Sequence, residues 1–210
     1  MSVLTLRCVA PFQAWSCNGN FGNRTVSDKP TKSGIVGMIA GAMGRVRGSD
    51  VSDLVGLVMG VRIDKPSVST LIDYQSATGV KKDENWIACK HYLQDATFTV
   101  YLAHDDKAFL EEIVNALTHP VFPVYFGRRV CIPTRPIVMG ITDADIQEVM
   151  KTTPCQARNA TEPMELYLEG DVEKNDIRAI YIDQDLPLNT GKDTRLFGSR
   201  KYYQLDSVPV

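Results

Sequence analysis

Pro30–Arg47 reads PTKSGIVGMIAGAMGRVR, and the rest of the chain is organised around it. Thr31 has N-cap chemistry, because its hydroxyl can accept from a backbone N–H two or three residues further on. Ile35, Ile39, Ala42 and Val46 then recur at helical spacing, which predicts a helix of roughly fifteen residues starting just after a proline. Gly34, Gly37, Gly41 and Gly44 interrupt it, the last three along one stripe. Each interior glycine costs about 1 kcal/mol relative to alanine, so a close neighbour is expected against that stripe. Lys32, Ser33 and the unpaired N–H groups of the first turn make a candidate anion site, and Arg45 and Arg47 follow the last turn. A tightly packed core helix with solvated ends accounts for the same residues without any ligand.

At 210 residues the chain suits one domain with an elaboration, or two small ones. Its start, MSVLTLRCVAP, alternates like a strand and holds Arg7, unlike the charged-then-apolar profile of a signal peptide. No apolar run reaches membrane-spanning length, so no membrane is expected and the cytoplasm is the expected location. The five cysteines are odd in number and scattered, with no CxxC pair. Neither a disulfide framework nor zinc is implied, and no metal or cofactor is expected.

The net charge of −2 conceals a strong asymmetry. Residues 1–48 hold Arg7, Arg24, Lys29, Lys32, Arg45 and Arg47 against Asp28 alone. Residues 143–185 hold eleven acids against four bases, and 192–201 are basic again. Separate faces for a polyanion and for water or a basic partner are the expectation.

Ser2–Val9 reads as a first strand ended by Pro11. The loop from Phe12 to Lys29 carries Gln13, Trp15, Phe21, Asn23 and Arg24, and long loops in compact domains are usually functional or disordered. Such aromatics and bases suit stacking on a single strand of nucleic acid, or Trp15 and Phe21 pin a surface loop by packing inward. After the glycine-striped helix, Asp50–Leu54 forms a turn or short helix and Leu57–Ile63 a strand. Residues 64–96 keep neither a period of 2 nor of 3.6 and read as an arm bearing Tyr74, Gln75, Lys81, Lys82, Trp86, Lys90, His91 and Tyr92. Thr97–Ala103 is a strand and Asp106–Thr118 an amphipathic helix stopped at His119-Pro120. Gly127-Arg128-Arg129 then sits on an extended segment, where adjacent side chains face opposite ways. Asp143–Lys151 is a short helix, Met164–Leu168 and Ile177–Ile182 are strands, and a basic turn, Gly198-Ser199-Arg200-Lys201, leads into the last strand.

This order belongs to the α+β class and fits the ferredoxin-like split βαβ motif, a four-stranded sheet backed by two helices. Residues 1–140 make the body, with the arm inserted at about 64–96, and 141–210 form a small αββ section completing it.

The ordered blocks LRCVAPFQAWS, FGNRTVSDKPTKSGIVGMIAGAMG, DYQSATGV, KHYLQDATFTVYL, YFGRRVCIPTRPI and GSRKYY carry a resemblance. Together they resemble the CasD-type subunit of the type I CRISPR Cascade complex, most of all its type I-E branch. The resemblance implies a RAMP protein with a ferredoxin-like body and a projecting thumb. It also implies a subunit that grips the 5′ handle of crRNA, bridges the backbone and large subunits, and meets target DNA only through the complex. Carried onto this chain, the implied RNA contacts are Gln13, Trp15 and Arg24 in the first loop, and Thr31, Lys32, Ser33 and Gly34 at the helix start with Arg45 beyond. Tyr74, Gln75 and Lys90 follow on the thumb, Arg128 and Arg129 on the strand after the second helix, and Arg200 in the tail.

The alternative is a metal-independent endoribonuclease that processes precursor crRNA through Lys90, His91 and Tyr92, residue types able to serve as base, acid and phosphate partner. Neighbours on a strand point oppositely, which favours Lys90 as a phosphate contact in a non-catalytic scaffold.

Overall fold

A computed structural model describes residues 1–16, 23–78, 85–170, 177–189 and 196–210. The elements in chain order are β1 (Ser2–Val9), β2 (Phe12–Gln13), β3 (Asn23–Arg24), α1 (Lys32–Ala42), α2 (Ser52–Val55), β4 (Val58–Lys65), β5 (Thr70–Thr78) and β6 (Asn85–Gln94). They continue with β7 (Thr97–His104), α3 (Lys107–Thr118), β8 (Val138–Thr142), α4 (Ile146–Thr152), β9 (Met164–Glu169), β10 (Ile177–Asn189) and β11 (Leu196–Val208). The fold is therefore mixed α and β. A seven-stranded antiparallel sheet runs β10-β11-β9-β4-β7-β1-β8, and a smaller sheet joins β5, β6, β2 and β3. No helix among the described residues is long and apolar enough to cross a membrane.

The central strands β1, β4 and β7 are buried on both faces, which is why β4 and β7 read as nearly unbroken apolar runs. On one face Leu4, Leu6, Met59, Val61, Phe98 and Val100 meet Ile35 and Ile39 of α1 and Leu110 and Ile113 of α3. On the other, Val3, Tyr101, Leu166 and Leu168 meet Ile146, Val149 and Met150 of α4. A Cβ on Gly60 would lie 2.6 Å from the Met150 sulfur, so glycine lets α4 press onto β4. Arg62, wholly buried on that face, pairs with Asp64 at 2.7 Å and donates to the Met150 and Thr153 carbonyls at 2.8 and 2.6 Å, satisfying the last turn of α4.

Three expectations need correcting. The glycine-striped helix stops at Ala42 because Gly44 takes φ +79°. Its N–H reaches the Gly41 carbonyl and that of Arg45 the Ala40 carbonyl, both at 2.9 Å, a Schellman closure that leaves Val46 exposed instead of in the helix. Residues 121–137 contain no strand. Arg128 and Arg129 lie in a turn closed by Cys131 N–H to the Arg128 carbonyl at 2.8 Å. There Gly127 (φ +84°) passes so close that a Cβ would sit 1.9 Å from the Ala14 oxygen. Last, Gly198–Lys201 is part of β11 and not a turn before it.

Candidate nucleic-acid interface

Thr31 caps α1 as its sequence suggests, its hydroxyl accepting from the Gly34 N–H at 3.3 Å. The first turn has no acidic side chain of its own, yet a helix N-terminus favours an anion. The far end of the chain supplies it. The Asp185 carboxylate on β10 accepts from the Lys32 N–H at 2.7 Å and from Arg200 of β11 at 2.8 and 2.7 Å. The Lys32 ammonium donates to Glu169 and to the Leu57 carbonyl, each at 2.7 Å, with its side chain only 3% exposed. Burial lowers its pKa from the ordinary lysine value, against the pull of Glu169.

Beside this cluster, Lys29 lies over the rings of Tyr167, Tyr202 and Tyr181 at 4.5, 5.4 and 5.6 Å. The Tyr167 and Tyr202 hydroxyls donate to Glu165 and Asp183 at 2.6 and 2.8 Å. Burial first, and then those carboxylates, push both phenols upward, so they stay neutral donors.

The expected phosphate contacts at Thr31, Lys32 and Arg200 are therefore corrected: their polar groups are consumed inside the fold. Gln13 and Trp15 are corrected likewise. Gln13 is fully buried and donates to the Cys8 and Ala96 carbonyls at 3.1 and 2.9 Å, while its own oxygen accepts from the Trp15 indole at 2.9 Å. Trp15, equally buried, meets Phe126 at 5.6 Å between centroids and fills the space where a Gly34 Cβ would come within 2.8 Å. That contact accounts for Gly34. Of the glycine stripe, Gly44 has its close neighbour, since a Cβ there would lie 3.1 Å from Val121, whereas outside the helix's own backbone no described atom lies within 4 Å of a Cβ placed on Gly37 or Gly41. Ser33 is half-buried, and Arg45 is held by Asp53 and by the Asp50 carbonyl, the latter at 3.0 Å.

The thumb residues are disposed differently. β5 and β6 pair from Thr70 opposite Leu93 to Thr78 opposite Asn85, and opposed residues share a face. One face gathers Gln75, Lys90, Tyr92 and Trp86; the other carries Tyr74, Ile87, Ile72 and His91. Lys90 donates to the Gln75 amide oxygen, and Gln75 to Asp73 at 2.7 Å. At the root, Arg128 lies 4.7 Å over the Tyr92 ring and donates to the His91 carbonyl at 3.3 Å, while Phe12 meets Tyr92 edge-on. Arg129 is exposed in the adjoining turn. Trp86 is 58% and Tyr74 67% exposed. Arg24 pairs with Lys90 through the backbone of β3; its side chain, with Phe21, Lys81 and Lys82, falls outside the described residues. Lys90 and Tyr92 face away from His91, so the three do not converge.

Sequence reasoning singled out neither Asp185 nor Glu169, although the excess of acids in 143–185 was their signal. Trp86 was visible as an arm aromatic; what marks it is its exposure on the same face as Lys90.

The family model for CRISPR-associated protein (Cas_Cas5) matches residues 3–208. The CRISPR system Cascade subunit CasD of Escherichia coli (strain K12) is 30% identical over 224 residues, covering 96% of this chain and 95% of that protein. A chain of a solved CRISPR RNA-guided surveillance complex superposes with a TM-score of 0.82 at 26% identity, over 99% of this chain and 91% of its own. A crystal structure of a Cas protein gives 0.77 at 31% identity, over 99% and 95%. The resemblance carried by the ordered sequence blocks thus holds across nearly the whole length, and the chain belongs to the CRISPR-associated Cas5 family.

Proposed function

We propose that this chain is a non-catalytic crRNA-binding subunit of a cytoplasmic Cascade surveillance complex in antiviral defence. It grips the 5′ handle of the guide, bridges the backbone and large subunits, and meets target DNA only through the assembly. The body is read as a ferredoxin-like RAMP fold, supported by β4-β7-β1-β8 with α1 and α3 packed on one face. The observation that carries the RNA reading is the thumb face, where exposed Trp86 shares one face with Lys90 and Gln75 above the Arg128–Tyr92 root. An aromatic platform and a cation along one face suit splayed single-stranded bases and their backbone. Division of labour in RNA-guided complexes, in which protein holds backbone and shape while pairing reads sequence, agrees with such a subunit. The separation of His91 from Lys90 and Tyr92 supports the scaffold over the endoribonuclease.

The test is binding of the full chain to labelled repeat RNA in EDTA, with a denaturing gel run beside it. Trp86→Ala should weaken binding roughly 5- to 150-fold, the loss of one stacked base, with the RNA left intact. Specific cleavage lost in His91→Ala would overturn the reading, as would full affinity in Trp86→Ala.

A further inference from the structure

We propose that an open cleft at the root of the thumb is a second phosphodiester-binding site, taking the sugar–phosphate backbone of the RNA that the thumb holds. The proposal rests on the RNA-binding reading above. The cleft, of about 430 Å³, lies where five connections converge. Val9–Pro11 come from the β1–β2 link, Lys65 from the end of β4 and Asp95–Thr97 from the β6–β7 turn. Thr134 and Arg135 precede β8, and Gln156 and Arg158 follow α4.

Its charge is unbalanced. Lys65, Arg135 and Arg158 line it against Asp95 alone. Elsewhere the fold pairs its structural cations with carboxylates, as at Lys32–Glu169, Arg62–Asp64 and Arg200–Asp185. None of the three cleft cations has a hydrogen bond or ion pair among the described residues. Arg135 and Arg158 are exposed and Lys65 half-exposed, so the three can reach a bound anion.

The walls are held although they are loops. Thr134 ties to the Val9 carbonyl through both its N–H and hydroxyl at 3.0 Å, and the Asp95 N–H reaches the Pro11 carbonyl at 3.0 Å. The Gln156 N–H is fixed at 2.6 Å by Asp64, the buried partner of Arg62, and its side-chain oxygen accepts from Arg7 at 2.8 Å. A pre-held, cation-rimmed cleft open to solvent suits an extended polyanion better than an enclosed small molecule. It also adjoins the thumb. Pro11 and Asp95 are the immediate neighbours of Phe12 and Gln94, which pair at the thumb's base, and Phe12 touches Tyr92 on the Lys90 face. One strand can therefore run from the cleft to that face.

Salt dependence reads this directly, because each neutralised phosphate of a single strand contributes about −0.7 to the slope of log K against log salt. The full chain is titrated with a short fluorescein-labelled single-stranded RNA across a KCl series. Lys65→Gln/Arg135→Gln/Arg158→Gln should make the slope shallower by about 2, and Arg135→Gln/Arg158→Gln alone by about 1.4, with the urea midpoint unchanged. Trp86→Ala should weaken binding without altering the slope. If the unaltered chain binds and both cleft variants keep its slope, the cleft assignment falls and the thumb reading stands. If the unaltered chain binds no RNA, the RNA-binding reading falls and the cleft proposal with it.

Discussion

Replacing Asp185 by alanine removes a carboxylate that serves three donors at once: the Lys32 N–H and the Nε and NH2 groups of Arg200. What remains is a guanidinium only 6% exposed, with no carboxylate hydrogen-bonded to it, the Lys32 ammonium repelling it and Glu169 attracting it from further off. Breaking a buried ion pair from one side costs about 3–5 kcal/mol, chiefly the burial of the charge left behind. In a domain of this size each kcal/mol moves Tm by roughly 2–4 °C, so the expected fall is roughly 6–20 °C. Urea unfolding followed by far-UV circular dichroism should show a lower midpoint with an unchanged m-value. Arg200→Met should be destabilising as well, and the double variant should lose clearly less than the sum of the two. A loss below about 1 kcal/mol in Asp185→Ala, or strict additivity with Arg200→Met, would mean an ordinary surface pair and refute the argument. Lys32 offers a second check on the same geometry. Lys32→Met should lose stability, and a variant as stable as the parent but unable to bind RNA would restore Lys32 to the phosphate-gripping role implied by the resemblance.

Gly37→Ala and Gly41→Ala should each stabilise the isolated chain by about 0.5–1 kcal/mol, since an added Cβ meets no described atom and helix propensity improves; a lower urea midpoint in either would contradict this. Gly127→Ala should yield little folded protein, because its Cβ collides with the Ala14 carbonyl at a positive φ; expression with a native circular dichroism spectrum would count against the path traced there. The Arg45 hydrogen bond, opposed by burial, lowers the Asp53 pKa below its ordinary value of 3.8. The stability it lends is therefore present above pH 3.8 and lost as the pH falls through the lower folded value. Being partly exposed, the pair is worth at most about 1 kcal/mol. The stability difference between the parent and Arg45→Gln should close in that acid window, and a difference persisting below it would exclude the pair as its source.

Local patterns were legible where local physics decides them. Thr31 and Asp106 have cap chemistry, and both accept from the N–H groups that open their helices. The Thr97–Ala103 run is a strand because helices cover both faces of the sheet. Residues 64–96 lacked a clean period, and the reason is visible: the hairpin stands away from the body with solvent on both faces over much of its length. The length of α1 was misread because Val46 continues the apolar spacing, while termination depends on Gly44 adopting a left-handed conformation. Residues 121–137 have strand-like composition but form no ladder: their hydrogen bonds close turns, as Cys131 N–H to the Arg128 carbonyl does, or tie single positions to other segments, as Val121 to Ala42 and Thr134 to Val9. Pairing is not written in composition.

The site was harder to read because charge along a sequence does not say what faces what. A basic first quarter and an acidic stretch at 143–185 suggested two separate faces, one for a polyanion. In the fold several of those charges meet: Glu169 takes the Lys32 ammonium, and Asp185 takes the end of α1 together with Arg200. A helix N-terminus attracts any anion, and a carboxylate tethered in the same chain holds that place without the entropic cost of bringing in a second molecule. Lys90 on the thumb and Lys65, Arg135 and Arg158 around its root are among the bases that no described carboxylate takes. Opposite charge runs of similar size in one domain are therefore better first tested for mutual neutralisation, and RNA contacts sought among the cations that remain.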